Sequence, residues 1–143
     1  MSTLQYKIIT PERIVLEGEA VSLSVMTENG EITILPGHIP LASLLKAGEM
    51  RVRTADGKEE LLAVSTGLIK VEGSNKIVIL ANTAERSEEL ELAKIEEAKQ
   101  RAEDALKNIR NREDVTFADA AAHLERELAR YRVALKGKKR RSL

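Results

Sequence analysis

His38 and His123 are the residues best suited to acid–base or metal chemistry in this chain, and neither has the company such chemistry needs. His38 lies inside Pro36-Gly37-His38-Ile39-Pro40, and neither histidine has a second His or Cys at ligand spacing, so no metal site is expected. With no cysteine there is no thiol nucleophile, thiolate site or disulfide framework. Ser65-Thr66-Gly67 offers hydroxyls beside a glycine but lacks the surrounding strand-turn-helix elbow of a GxSxG nucleophile. Neither GxxxxGK[ST] nor GxGxxG occurs, so no loop of those types cradles a phosphate. The carboxylates, such as Glu88-Glu89 and Glu96-Glu97, fall where solvated helix faces place them. The residues give no reason to read an enzyme.

Composition narrows the remaining classes. A chain of 143 residues accommodates one ordinary domain or two small ones. Lys plus Arg and Asp plus Glu both number 23, and this balance argues against a general nucleic-acid binder. Aromatics make up 2% with no Trp, which leaves few platforms for stacking bases. No basic stretch followed by an apolar run opens the chain, so no secretory leader is expected. No window approaches the roughly 18 apolar residues of a membrane-spanning helix, so membrane association is expected only through a partner.

The elements fall into two halves. Up to about Ala84 the apolar residues alternate: Gln5 to Ile9 is a first extended run, then Ile14 and Leu16, then Val21, Leu23 and Val25 at period two. Asn29-Gly30, between VSLSVMT and EITIL, predicts a hairpin. Pro36-Gly37 and Pro40 break the next stretch. Met50, Val52 and Thr54 alternate with Arg51 and Arg53, and Asp56-Gly57 turns into Leu61-Leu62-Ala63-Val64. Leu68, Ile69 and Val71 continue through Gly73-Ser74-Asn75 into Lys76 to Leu80. Many short strands with such turns predict an antiparallel β-sandwich or flattened barrel over residues 1–86.

Beyond it the period changes. Leu92, Ile95, Ala98, Ala102, Ala105 or Leu106, and Ile109 recur every three or four residues, which predicts an amphipathic helix with Ser87 at its cap. Asn108 to Asp114 reads as a turn. Thr116-Phe117-Ala118-Asp119 resembles a capping box, and Phe117, Ala121, Leu124, Leu128, Tyr131 and Leu135 form a heptad seam that Gly137 is expected to end. Lys138, Lys139, Arg140 and Arg141 then read as a mobile basic tail. Residues 87–143 thus form a two-helix antiparallel hairpin, too small to supply more than roughly 3–5 kcal/mol alone. One reading of these halves is a free-standing adaptor whose heptad seam dimerises as a coiled coil.

A second reading rests on stretches that resemble the epsilon subunits of F-type ATP synthases. Thr10-Pro11-Glu12-Arg13 resembles the end of that family's first strand. Gly30-Glu31-Ile32-Thr33-Ile34-Leu35-Pro36-Gly37-His38-Ile39-Pro40-Leu41 is the most specific match, followed by Leu45-Lys46-Ala47-Gly48. Ser65-Thr66-Gly67-Leu68-Ile69-Lys70-Val71 resembles a block that usually carries Gly-Gly, so Thr66 is a departure. Ile79 through Arg86 closes the β half as the family does. The resemblance covers essentially the whole chain.

It implies a non-catalytic rotor subunit of the bacterial type, coupling proton flow to ATP synthesis at the cytoplasmic face of the plasma membrane. The sandwich is then expected to bind the gamma subunit and the ring of c subunits, with Glu31, Gly37, His38 and Pro40 in one interface patch. The helices are expected to extend into the catalytic head, meeting the alpha and beta subunits, and block ATP hydrolysis, with Arg126, Arg130, Arg132 and Lys136 set against acidic residues of the beta subunits. Some members bind ATP through an Ile/Leu-Asp-x-x-Arg-Ala motif at the start of the first helix. Here the stretch is Leu90-Glu91-Leu92-Ala93-Lys94-Ile95, with Arg101 further on. Glu91, Lys94 and Ile95 depart from the motif. Lysine lacks the fork that arginine offers a phosphate, so ATP is expected to bind weakly or not at all, and no cofactor is expected.

Overall fold

The computed structural model describes residues 2–108 and 115–141, with ten strands and two α-helices among them. The strands are β1 (Leu4–Ile9), β2 (Ile14–Ala20), β3 (Ser22–Thr27), β4 (Gly30–Ile34), β5 (Leu41–Leu45), β6 (Gly48–Arg53), β7 (Glu59–Val64), β8 (Gly67–Glu72), β9 (Lys76–Ala81) and β10 (Ala84–Arg86). They form one sheet in the order β10-β7-β6-β3-β5-β8-β9-β1-β2, with β4 on β3, folded over a single core. Leu4, Ile8, Leu23, Ile34, Met50, Leu62, Ile69, Ile77 and Ile79 fill that core. Period-two alternation sends these residues inward and their neighbours outward. Every pairing is antiparallel except β1 with β9, which run parallel.

The turns explain themselves locally. In the β3–β4 hairpin the buried Thr27 hydroxyl donates to the Gly30 carbonyl at 2.7 Å and accepts from the Asn29 amide at 3.2 Å. Ser74 and Asn75 turn β8 into β9 with φ of 66° and 61°, the left-handed pair of a tight hairpin. Gly67 is required by close approach, since a Cβ there would stand 2.1 Å from the Leu80 carbonyl oxygen. The adjacent Thr66 is exposed and its hydroxyl accepts from Asn82 Nδ2 at 3.0 Å. The departure from Gly-Gly therefore falls at the position that tolerates a side chain.

The helices α1 (Leu92–Lys107) and α2 (Val115–Arg141) pack on each other, and α2 lies across β6 and β7. Here β7 is buried on both faces: Leu62 and Val64 join the sandwich core, while Leu61 and Ala63 meet Leu90, Ile95, Val133 and Ala134 in a second apolar cluster edged by Leu92 and Tyr131. Lys99 Nζ stands 4.6 Å from the centre of the Tyr131 ring and ties α1 to α2. The residues expected to dimerise a free adaptor are thus partly used within the chain.

Three expectations for this half need correction. Ser87 does not cap α1. Ser87–Glu89 is a single 3-10 turn, and α1 begins after Glu91. Glu89 accepts from Arg13 Nη2 at 3.0 and 3.1 Å and from the Arg86 amide at 3.3 Å, which pins this segment to the sandwich. Gly137 does not end α2 either, because the helix continues to Arg141 in place of a mobile tail. Gly137 is buried in a face shared with Val133 and Ala134, and that packing outweighs the roughly 1 kcal/mol a helical glycine costs. The seam also shifts: Leu135 is exposed while Ala129, Val133 and Ala134 are buried, because α2 covers a sheet as well as a helix. The turn at Asn108 to Asp114 lies, beyond Asn108, outside the described residues, as does the Thr116 side chain of the capping box.

Candidate functional site

The outer face of the sheet carries a feature that alternation alone would not place there. Leu44 of β5 stands opposite Leu68 of β8, Leu68 opposite Leu80 of β9, Leu80 beside Ile9 of β1, and Ile9 opposite Ile14 of β2. Residues in such register lie about 4.5–5.5 Å apart at Cβ in antiparallel pairs, so these five make a continuous row across five strands. Leu44 is 54% exposed, Leu68 37%, Leu80 48% and Ile14 49%. Single exposed leucines need no explanation, but an aligned row is a candidate interaction surface. Its signal in the sequence is a set of apolar doublets. In Ile8-Ile9, Leu44-Leu45, Leu68-Ile69 and Ile79-Leu80, one member of each is buried and its neighbour must face out.

The four residues expected to share one patch lie along β4 and the loop that follows it. Glu31 sits at the hairpin end of β4, opposite Met26 and ion-paired to Arg51. Gly37 and His38 lie beyond the other end of β4, whose last residue, Ile34, is about 10 Å from Glu31 at the usual strand rise. Gly37 takes φ +87°, and its amide donates to Asn75 Oδ1 at 2.7 Å, fastening this loop to the β8–β9 turn. The His38 amide donates to the Leu35 carbonyl at 3.1 Å, and Pro40 is exposed beside Ile39. The β4 strand therefore separates Glu31 from Gly37, His38 and Pro40. The cause is plain: the motif is contiguous in sequence, and an extended strand carries its ends apart.

The basic residues of α2 meet the sandwich. Arg130 Nε lies 2.8 Å from Glu85 Oε1, and its Nη2 donates to Glu85 Oε2 at 3.0 Å, while Nη1 donates to Glu127 at 2.8 Å. The Glu127 side chain is 4% exposed, so this carboxylate is held inside by its partner. Burial works against the Arg130 charge, but the bonds to Glu85 and Glu127 more than restore it and raise its pKa. Lys136 pairs with Glu49 of β6. Arg126 Nη2 is 2.6 Å from His123 Nδ1, and its Nε is 3.9 Å from Glu127. Arg132 is exposed and makes no ion pair among the described residues.

At the start of α1, Glu91 and Lys94 pair with each other at 3.1 Å, and Arg101 Nε donates to the Glu97 carbonyl at 3.4 Å. Ile95 is fully buried in the second apolar cluster, so its side chain belongs to the core. A cleft of about 470 Å³ opens beside β1, β2 and β9, where Lys7 and Glu17 stand 3.7 Å apart. Among the described residues no group of three or more His, Cys, Asp or Glu could hold a metal ion, and no helix is long and apolar enough to cross a membrane.

The sandwich carries two helices on one face and an apolar row on another. Residues 3–87 match the family model "ATP synthase, Delta/Epsilon chain, beta-sandwich domain". Over 134 residues, 94% of this chain and 98% of the relative, the sequence is 41% identical to an ATP synthase epsilon chain of Moorella thermoacetica. A relative from Psychrobacter arcticus, also an ATP synthase epsilon chain, is 39% identical over 98% of this chain and 99% of its own length. This chain belongs to the ATP synthase epsilon-chain family. The fold is also found in a chain of the Euglena gracilis mitochondrial ATP synthase OSCP/F1/c-ring structure, with TM-score 0.79 and 18% identity over 96% of this chain and 82% of that one. A chain from the central stalk and c-ring of the Tetrahymena thermophila mitochondrial ATP synthase gives TM-score 0.61 at 14% identity, over 94% of this chain and 96% of that one.

Proposed function

We propose that this chain is a non-catalytic rotor subunit of a bacterial F-type ATP synthase, seated on the gamma subunit by the apolar row of its sandwich. That row is the observation that carries the reading: a large partner surface is needed to cover Ile14, Leu44, Leu68 and Leu80 at once. Epsilon-chain family membership, together with the c-ring and central-stalk assemblies in which its structural neighbours are found, supports this placement. Glu31, at the hairpin end of β4, then faces the c ring, while Gly37, His38 and Pro40 serve a separate contact. The subunit is peripheral at the cytoplasmic face of the membrane and reaches it only through the complex. Its helical pair restrains ATP hydrolysis by leaving the sandwich and presenting Arg126, Arg130, Arg132 and Lys136 to carboxylates of the alpha and beta subunits. Neither a catalytic residue nor a resident cofactor enters this reading.

The row is tested with Leu68→Lys combined with Leu80→Lys. Both side chains face outward, so circular dichroism should match the parent. Complex purified from membranes carrying the variant is expected to lose this chain while keeping alpha, beta and gamma. Retention in full amount would sink the assignment of the row.

A further inference from the structure

We infer that Glu49 and Glu85 form an electrostatic latch, occupying Lys136 and Arg130 so that the folded helices are silent because their own sandwich competes for these cations. The inference rests on the inhibitory reading given above and adds what holds the helices down. Strand alternation fixes both carboxylates on the covered face. Gly48 and Met50 flank Glu49 and are buried, and Ala84 before Glu85 lies in the sandwich core, so Glu49 and Glu85 turn toward α2. Their cations are six positions apart on the helix, about 9 Å along its axis, so two clasps define the helix register rather than one point of contact.

The chemistry of Arg130 says what must replace the latch. Glu127 lies on the same helix, bonds Nη1, and travels with Arg130 when α2 departs. Glu85 belongs to β10 and accepts from Nη2, with its other oxygen 2.8 Å from Nε. Release therefore frees one guanidinium edge, shaped for a bidentate carboxylate, while the other edge stays neutralised. The incoming partner must present a carboxylate in the geometry that Glu85 gives up. A sandwich and a partner cannot hold that edge together.

The pivot is also defined. Arg13 with Glu89, and Arg86 with Glu60, tie residues 86–89 to the sandwich without help from the helices. Between that anchored turn and α1 stand only Leu90 and Glu91, both extended, with φ, ψ of −90°, 128° and −101°, 110°. Rotation of the pair takes place at these two residues.

The chain has no cysteine, so spin labels can be placed cleanly at Asp56 on the sandwich and Glu125 on α2 of the full-length protein. Glu49→Gln with Glu85→Gln is expected to raise the long-distance population about threefold to tenfold. Added salt should widen the parent distribution and leave the double variant nearly unmoved. Glu49→Lys should open the chain, and adding Lys136→Glu should close it again. An unchanged distance in the double variant, or a charge swap as open as Glu49→Lys alone, overturns the latch. The complex is then assayed separately, where the double variant should hydrolyse ATP more slowly. Opening of the isolated chain with unchanged hydrolysis would uphold the latch and sink the inhibitory reading instead.

Discussion

Burial, and then the nearby Glu60 carboxylate, hold the Tyr6 phenol above its ordinary pKa of 10.0, against an opposing pull from Arg86. The sign follows directly. As pH rises the unfolded chain ionises first, so the contribution of Tyr6 is intact below about pH 10 and is lost as pH climbs through the folded value. Tyr6→Phe is therefore expected to lose less stability than the parent between about pH 8 and about pH 11, read as the shift in urea midpoint. Equal alkaline losses would remove Tyr6 as the source. Single residues of this kind were hard to read in advance, because Tyr6 shows in sequence only as one inward position of an alternating strand. Gly137 misled for the opposite reason. A glycine after an apolar seam is a common helix stop, and only the sheet beneath it explains why α2 passes through. Glu127 sits on a charged helix yet is buried, its carboxylate held by Arg130 one turn along α2.

At the scale of elements, β7 was the most legible. Leu61-Leu62-Ala63-Val64 breaks the alternation, and an unbroken apolar run is what a strand covered on both faces requires. By contrast β5 is hard to read from sequence, because Leu44 faces outward beside the buried Leu45 and blurs the period-two pattern between Pro40 and Gly48. The start of α1 bears on nucleotide binding. Glu91 and Lys94 answer each other, and Ile95 fills the space beside Leu61, Leu90 and Val133. Isothermal titration of ATP into the isolated chain is expected to show a millimolar site or none. At ATP three times such a dissociation constant, the folded pair would gain only about 0.8 kcal/mol. A swing from 1:99 to 99:1 needs roughly 5.5 kcal/mol, so ATP would bias the helices and not command them. Ile95→Ala should not create a tight site, and should cost about 2–5 kcal/mol in the helical layer, visible as faster amide exchange in α1 and α2. A micromolar dissociation constant in the parent would overturn this account.

For the whole molecule, the change of period near Ala84 marks the passage from sheet to helix, and the sandwich core beneath it is complete without α1 and α2. Residues 1–86 are expected to fold alone, to show β circular dichroism and dispersed amide NMR signals, and to expose Leu61 and Ala63 to a hydrophobic dye. Membranes carrying this truncation should hydrolyse ATP faster than the parent. An unfolded fragment, or unchanged hydrolysis, would count against the corresponding half of the prediction. The one parallel pairing in the sheet has a further consequence for how the subunit is made. Its β1 strand waits for β9, since Gln5 pairs with Lys76, and ribosomes add about 5–20 residues each second. The outward row crosses that seam, with Ile9 and Ile14 on one side and Leu44, Leu68 and Leu80 on the other. A half-synthesised chain has not yet made Leu80 and β9, so a nascent subunit offers its partner no complete surface. Assembly is thereby ordered after folding, by geometry alone.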